Sequence, residues 1–160
     1  MTIIKIKWSK LLLSVIICQL AGLIGAFFTS PSISTWYASL VKPAFNPPNS
    51  VFGPIWTIIY TLIGISLYLV IRDGIESKEK KTALIVFSVH LILNSLWSIL
   101  FFGIKNIFLA FFEIIILWGM IIYTMLLFKR INQKTVYLLT PYLLWVSFAA
   151  ILNFSIWRLN

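Results

Sequence analysis

The chain has 160 residues, 61% of them hydrophobic and 11% charged, with a mean hydropathy of +1.00, whereas soluble domains carry about 25% charged residues. That composition excludes a soluble globular domain and describes an integral membrane protein. The net charge of +9 does not point to nucleic acid, because the basic residues stand between apolar runs, where lipid headgroups and topology account for them.

Five apolar runs occur at about 8–28, 52–71, 82–102, 107–128 and 135–157. Each is about 20 residues long, enough to span ~30 Å at ~1.5 Å per residue. They predict an all-α fold, an integral membrane bundle of five transmembrane helices. No fixed-period repeat, low-complexity tract or polar linker divides the chain, so residues 1–160 are expected to form one domain.

The first run begins with Lys5, Lys7 and Lys10 and an apolar core, which imitates a secretory signal. The run continues to Phe28 without a small-x-small cleavage site, which reads as an uncleaved spanning helix. Within it, Ala21 with Gly25 and Gly22 with Ala26 set small residues four apart, so another helix can approach closely. Cys18, the single cysteine, excludes a disulfide framework or a cysteine metal cluster within the chain and reads as a small buried hydrophobe.

The segment from Trp36 to Trp56 can be neither helix nor strand throughout, because Pro43, Pro47, Pro48 and Pro54 fix φ and remove backbone donors. An ordered aromatic loop between two spanning helices suggests a lid. Ser34 is expected to cap a short helix from Thr35 to Leu40, and Pro54 to sit in the first turn of the second long helix.

The second loop, Arg72 to Lys81, is charged; the third, Gly103 to Asn106, is little more than a turn; the fourth, Lys129 to Lys134, is basic. The N-terminal segment and loops two and four together carry ten Lys and Arg, against three (Lys42, Lys105 and Arg158) on the other side. The positive-inside rule therefore predicts a cytoplasmic N-terminus, an outer C-terminus and an outward-facing proline loop.

Asp73, Glu76 and Glu79 share the second loop, leaving Glu113 as the one acid at membrane depth. A charge there is costly, so Glu113 either has a structural role, reaching the interface, pairing with Lys105 or Lys129 or staying protonated, or serves a ligand or a proton. His90, the single histidine, lies mid-run. Positions 90, 94, 97, 98 and 101 share one helical face. This stripe of His90, Asn94, Trp97, Ser98 and Phe101 suits a cavity wall with polar anchors, or interhelical hydrogen bonding. Haem ligation by His90 is possible in principle, though nothing singles it out, and catalytic serine, zinc and nucleotide motifs are absent.

Seven tryptophans need an account. Trp8, Trp36 and Trp157 fall near predicted ends and fit an interfacial belt. Trp97, Trp118 and Trp145 fall inside the bilayer, where a flat ring can stack and an indole N–H needs a partner, so a pocket for a large planar apolar ligand would use them. Pro141, Trp145, Phe148, Ala149 and Leu152 form a second stripe near the buried amide of Asn153, and Pro141 is expected to kink the last helix.

These residues fall into four separated clusters in one order: Trp36-Tyr37, Leu40, Lys42-Pro43 and Asn46-Pro47-Pro48; Val51-Phe52, Trp56 and Tyr60; Asn94, Trp97 and Phe101-Phe102; and Pro141-Tyr142, Trp145, Phe148-Ala149, Leu152-Asn153, Trp157 and Asn160. Over nearly its whole length the chain resembles the TspO/MBR family, the tryptophan-rich sensory proteins of bacteria and the mitochondrial translocator protein. The resemblance implies a five-helix bundle in a bacterial cell membrane, commonly a homodimer, with a pocket closed by the first loop. It implies porphyrins or haem as ligands, sterols for mitochondrial members, and synthetic benzodiazepine-site compounds. Two positions depart from the family pattern: Phe45 stands where Trp is usual, and His90 where Gln commonly precedes Leu-x-Leu-Asn. The sterol motif near the end of the last helix is broken, because Leu152 to Arg158 lacks its tyrosine.

With that resemblance, Trp56 and Trp145 are expected to stack on a planar macrocycle, with Tyr60, His90, Trp97, Ser98, Phe148 and Ala149 around them. Asn94 would hydrogen-bond the polar edge, while Trp36, Pro47 and Pro48 hold the loop closed. The expected partners are a tetrapyrrole or other planar apolar ligand, membrane lipid and a second copy of the chain, without nucleic acid, bound metal or a required cofactor. Three functions remain open: a receptor or transporter-like binder of tetrapyrroles; an enzyme that degrades porphyrin with light and oxygen through Trp56 and Trp145; and a sterol or lipid binder or scaffold.

Overall fold

The computed structural model describes residues 6–160, so Lys5 lies outside the described residues. The order is α1 (Trp8–Ile33), α2 (Trp36–Ser39), α3 (Asn49–Ile71), α4 (Lys78–Ser98), a π-helical turn (Ile99–Gly103), α5 (Ile107–Ile131) and α6 (Lys134–Leu159). No strand occurs among the described residues. Five helices are long and apolar enough to cross a membrane, α4 together with its π turn counting as one.

Each end is set by local chemistry. Ser77 caps α4, its hydroxyl accepting from the Lys80 N–H at 3.2 Å, and Asn106 caps α5 through the Leu109 N–H at 2.9 Å. Lys129 and Arg130 fill the last turn of α5, where the exposed carbonyls favour positive charge. The last carbonyls of α3 receive ammonium groups from another helix. Lys10 Nζ donates to Ile71 O at 3.1 Å, and Lys7 Nζ to Arg72 O at 3.0 Å.

Several expected boundaries move. α1 runs on to Ile33 with Pro31 inside it, where the missing N–H leaves the Phe27 carbonyl without its i+4 donor. Ser34 does not cap the short helix: it ends α1, and Thr35 precedes α2 without a side-chain cap, its hydroxyl donating back to Pro31 O. α3 begins at Asn49 with Pro48 as its N-cap residue, so Pro54 lies beyond the first turn. There it leaves the Ser50 carbonyl without its intrahelical partner.

Around the bundle the helices follow the order α1, α3, α6, α5, α4 and back to α1. The two ends of this ring differ. Toward Lys7, Arg72 and Lys134 the helices close on one another: a Cβ on Gly64 of α3 would lie 2.6 Å from the Val15 Cα of α1, and Phe87 of α4 stacks on Phe128 of α5 at 5.4 Å. Toward the 34–48 loop they part around a cavity. The small residues of α1 work there, and they admit side chains: a Cβ on Gly22 would meet the Tyr60 ring at 2.5 Å.

Glu113 pairs with neither Lys105 nor Lys129. It stands on the inward stripe of α5 with Ala110, Ile114 and Leu117, is 6% exposed, and neither carboxyl oxygen has a hydrogen-bond partner. Its helical position turns it toward the core and away from the interface.

Candidate functional site

The cavity has a volume of about 460 Å³. Its floor is a chain of polar side chains running from helix to helix. The Tyr60 hydroxyl of α3 donates to Asn94 Oδ1 of α4, and Asn94 Nδ2 donates to the Tyr142 hydroxyl of α6 at 2.7 Å. All three are buried. In a low-dielectric interior such a chain fixes the rotamers of its members, because each would otherwise be left unpaired.

Above the floor the wall is aromatic. Trp56 sits one turn before Tyr60, their rings 5.4 Å apart. Trp145 of α6 meets Phe52 edge-on at 5.9 Å, and Trp97 stacks on Phe101 at 5.1 Å. The Trp97 indole N–H donates to Asn153 Oδ1 at 3.0 Å, and Asn153 Nδ2 donates to the Ile107 carbonyl at the start of α5. The π turn sets both Phe101 and Phe102 on the cavity wall, since the wider winding shifts the side chains by one position; π turns recur at functional sites. The buried Ser32 hydroxyl of α1 donates to the Phe102 carbonyl, satisfying one of the acceptors the turn exposes.

The loop is self-braced. The Tyr37 hydroxyl donates to Asn46 Oδ1 at 2.7 Å, Asn46 Nδ2 donates to the Pro47 carbonyl, and the Lys42 ammonium lies 4.7 Å above the Tyr37 ring. Phe45 touches Phe148, which touches Trp145, at ring separations of 6.2 and 5.6 Å. Asn160 joins the loop to α6 by exchanging two hydrogen bonds with the Val41 backbone, each 3.0 Å. Burial raises the pKa of the Tyr37 phenol above its ordinary value, against the Asn46 hydrogen bond, so the hydroxyl stays a donor through neutral and mildly alkaline pH.

Of the residues expected at the site, Trp56, Tyr60, Asn94, Trp97, Ser98, Trp145 and Ala149 line the cavity. Trp36, Pro47, Pro48 and Phe148 do not line it: Trp36 packs edge-on against Phe101 at 5.5 Å, Pro47 accepts from Asn46 within the loop, Pro48 immediately precedes α3, and Phe148 backs Trp145. His90 is not on the wall. It is buried one turn below Asn94, beside Phe87 and Tyr142, with Nδ1 3.5 Å from the Thr124 hydroxyl and Nε2 unpartnered. An iron porphyrin seated in the cavity would therefore take no imidazole from this chain. Trp118 also lies elsewhere, half-exposed on α5 with its indole N–H donated to Ser147.

Gln19 and Thr57 complete the rim between α1 and α3, where Gln19 Nε2 donates to the Thr57 carbonyl and the Thr61 hydroxyl, both at 3.0 Å. Sequence reasoning missed Gln19, although a lone amide inside an apolar run was its signal. The lining residues Leu23 and Ala26 of α1 and Gly53 and Thr57 of α3 are exposed, so the cavity opens sideways toward the bilayer as well as beneath the loop. No charged residue lines it, and no group of three or more metal-ligating side chains occurs among the described residues.

The family profile described as "TspO/MBR family" matches residues 14–158. The chain is 44% identical over 153 residues to the "Tryptophan-rich protein TspO" of Archaeoglobus fulgidus, covering 94% of this chain and 97% of that protein. It is 35% identical over 140 residues to the "Translocator protein" of Ovis aries, covering 87% and 83%. It is 31% identical over 156 residues to the "Tryptophan-rich sensory protein" of Cereibacter sphaeroides, covering 98% and 94%.

Proposed function

The chain belongs to the TspO/MBR family, and from that premise we propose that it is a receptor or transporter-like membrane protein holding a porphyrin or haem in its aromatic cavity. One observation carries the reading: two indoles, Trp56 and Trp145, share the wall of an uncharged cavity that is floored by an amide between two phenols. Its volume of about 460 Å³ falls within the ~300–1,000 Å³ of small-molecule sites. Flat faces match a conjugated macrocycle, and the floor has polar atoms for a polar edge. Carboxylates on such a ligand stay at the rim near Asn49 and Ser50, because the wall offers no cation to offset their burial. The side opening between α1 and α3 suits a ligand that arrives dissolved in lipid.

The same reading takes the protein as a homodimer in the cell membrane, needing no cofactor, with its basic end in the cytoplasm and its loop outside. A cysteine at Ser50, in a Cys18→Ser background, should react with an impermeant reagent added from outside intact cells. Labelling only from the cytoplasmic side would invert the topology.

Binding is tested by titrating purified protein with protoporphyrin IX in darkness, following tryptophan quenching, and then under light. Saturable binding is expected, and its absence would remove the reading. If illuminated porphyrin bleaches no faster than with denatured protein, binding alone survives; loss that needs folded protein and slows in Trp145→Phe would favour degradation.

A further inference from the structure

On an exposed apolar flank of α1, a shallow groove separates the last turns of that helix from Phe102, Gly103 and Lys105. Leu23, Phe27, Phe28, Ser30, Phe102 and Lys105 line it. Phe27 is 76% exposed and Leu23 63%, so the groove presents apolar surface to lipid. Its depth depends on Gly103, where a Cβ would lie 2.9 Å from the Phe28 ring; a larger residue would push that ring outward and fill the groove.

At the end of the groove stands Lys105, with φ of 60°. That left-handed conformation costs lysine what it does not cost glycine. The backbone therefore gives no reason for a lysine here, and the reason lies with its side chain. Asp73, Glu76 and Glu79 are at the opposite end of the bundle and Glu113 is buried inside it. Lys105 has no hydrogen bond or ion pair to a carboxylate among the described residues. Ser30, exposed in the same groove, has a hydroxyl that makes no hydrogen bond among the described residues, unlike Ser32, which is bound to Phe102.

We propose that this groove binds one anionic phospholipid, with its phosphate at the Lys105 ammonium and the Ser30 hydroxyl and an acyl chain along Leu23, Phe27 and Phe28. A lone cation at headgroup level above an exposed aromatic groove has the complementary charge, and its flexible stem lets the ammonium reach the phosphate. Leu23, Ser30 and Phe102 also line the main cavity, so the bound lipid forms part of that cavity's outer wall.

Native mass spectrometry and thermal unfolding, with phosphatidylglycerol or phosphatidylcholine added to the full chain in detergent, test this. The wild type should retain one phosphatidylglycerol in preference to phosphatidylcholine and unfold at higher temperature with it. Lys105→Gln should bind phosphatidylglycerol about five-fold more weakly, equivalent to about 1 kcal/mol per basic residue at an anionic surface. Lys105→Gly should lose the same preference without being less stable in lipid-free detergent, since it relieves the strained φ; this separates lost binding from poor folding. Lys42→Gln, at the same end but over the Tyr37 ring, should keep the preference. Inorganic phosphate should give no shift, because the acyl chain supplies much of the contact, and a full shift with phosphate alone would show an anion site and overturn the lipid. Unchanged phosphatidylglycerol retention in Lys105→Gln would also overturn the proposal.

Discussion

The two halves of the bundle use the same residue type to opposite ends. At the basic end Gly64 brings two backbones together, α3 onto Val15 of α1; under the loop Gly22 makes room for a ring, that of Tyr60. A glycine facing backbone closes a helix pair, and a glycine facing an aromatic side chain lets that side chain stand between the helices and hold them apart. The closed half supplies packing, and the open half encloses the cavity.

Substitution at these two glycines gives the largest expected effect and the clearest way to break the contrast. Gly64→Val puts methyl groups against Val15 and Ser14 backbone atoms that cannot rotate away, so overpacking should cost about 3 kcal/mol and unfolding in detergent should come many degrees earlier. Gly22→Ala meets the Tyr60 ring, a side chain that can give way where the Val15 backbone cannot. It should cost about 1–2 kcal/mol, less than Gly64→Val, while turning Tyr60 away from Asn94 and weakening ligand binding. Gly119→Ala, which meets nothing within 4 Å, should do neither. Equal loss of stability at Gly64 and Gly22 would remove the distinction between the halves.

Next in size is the floor. Asn94→Leu keeps the volume but leaves the Tyr60 and Tyr142 hydroxyls without their shared partner, a loss of about 1–3 kcal/mol for buried polar groups. Thermal unfolding checks this. A neutral result would mean that water replaces the amide and that the floor is not fixed.

The indoles come third. Trp145→Ala or Trp56→Ala should weaken protoporphyrin binding by about 1 kcal/mol or more, several-fold in a fluorescence titration, without unfolding the bundle. Trp8→Ala, 64% exposed on the far end of α1, should leave binding unchanged. Equal effects at all three positions would show packing aromatics mistaken for a site.

Much of this was legible in the sequence because hydropathy alone marks spanning helices, and because the aromatic stripes of α4 and α6 follow helical spacing. Helix ends were less legible, since they depend on caps: Asn49 starts α3 because Pro48 can precede a helix, which no apolar count reveals. The π turn has no signal in Ile99-Leu100-Phe101-Phe102-Gly103. His90 shares a helical face with Asn94, but depth along the helix decides its surroundings, and one turn lower the Tyr142 ring of α6 closes the space. Trp118 sits at membrane depth yet finds its partner in Ser147 on α6, away from the cavity.

The smallest expected effect concerns the latch between the halves' outer cover and α6. Asn160 accepts from the Val41 N–H and donates to the Val41 carbonyl, and it also donates to the Ile156 carbonyl at 2.8 Å. These groups are exposed at the loop, and water competes for them, so Asn160→Ala should lower stability by less than about 1 kcal/mol. Opening the loop breaks the same two bonds, whereas entry from the bilayer between α1 and α3 does not. Stopped-flow release of bound porphyrin should therefore accelerate about two- to five-fold while the association rate stays constant, as interface changes act chiefly on dissociation. Asn160→Asp, which keeps the acceptor for Val41 N–H and loses the donor, should fall between the two. An earlier unfolding transition with unchanged release would mean that Asn160 secures the end of α6, and that ligand leaves by the side opening without lifting the loop.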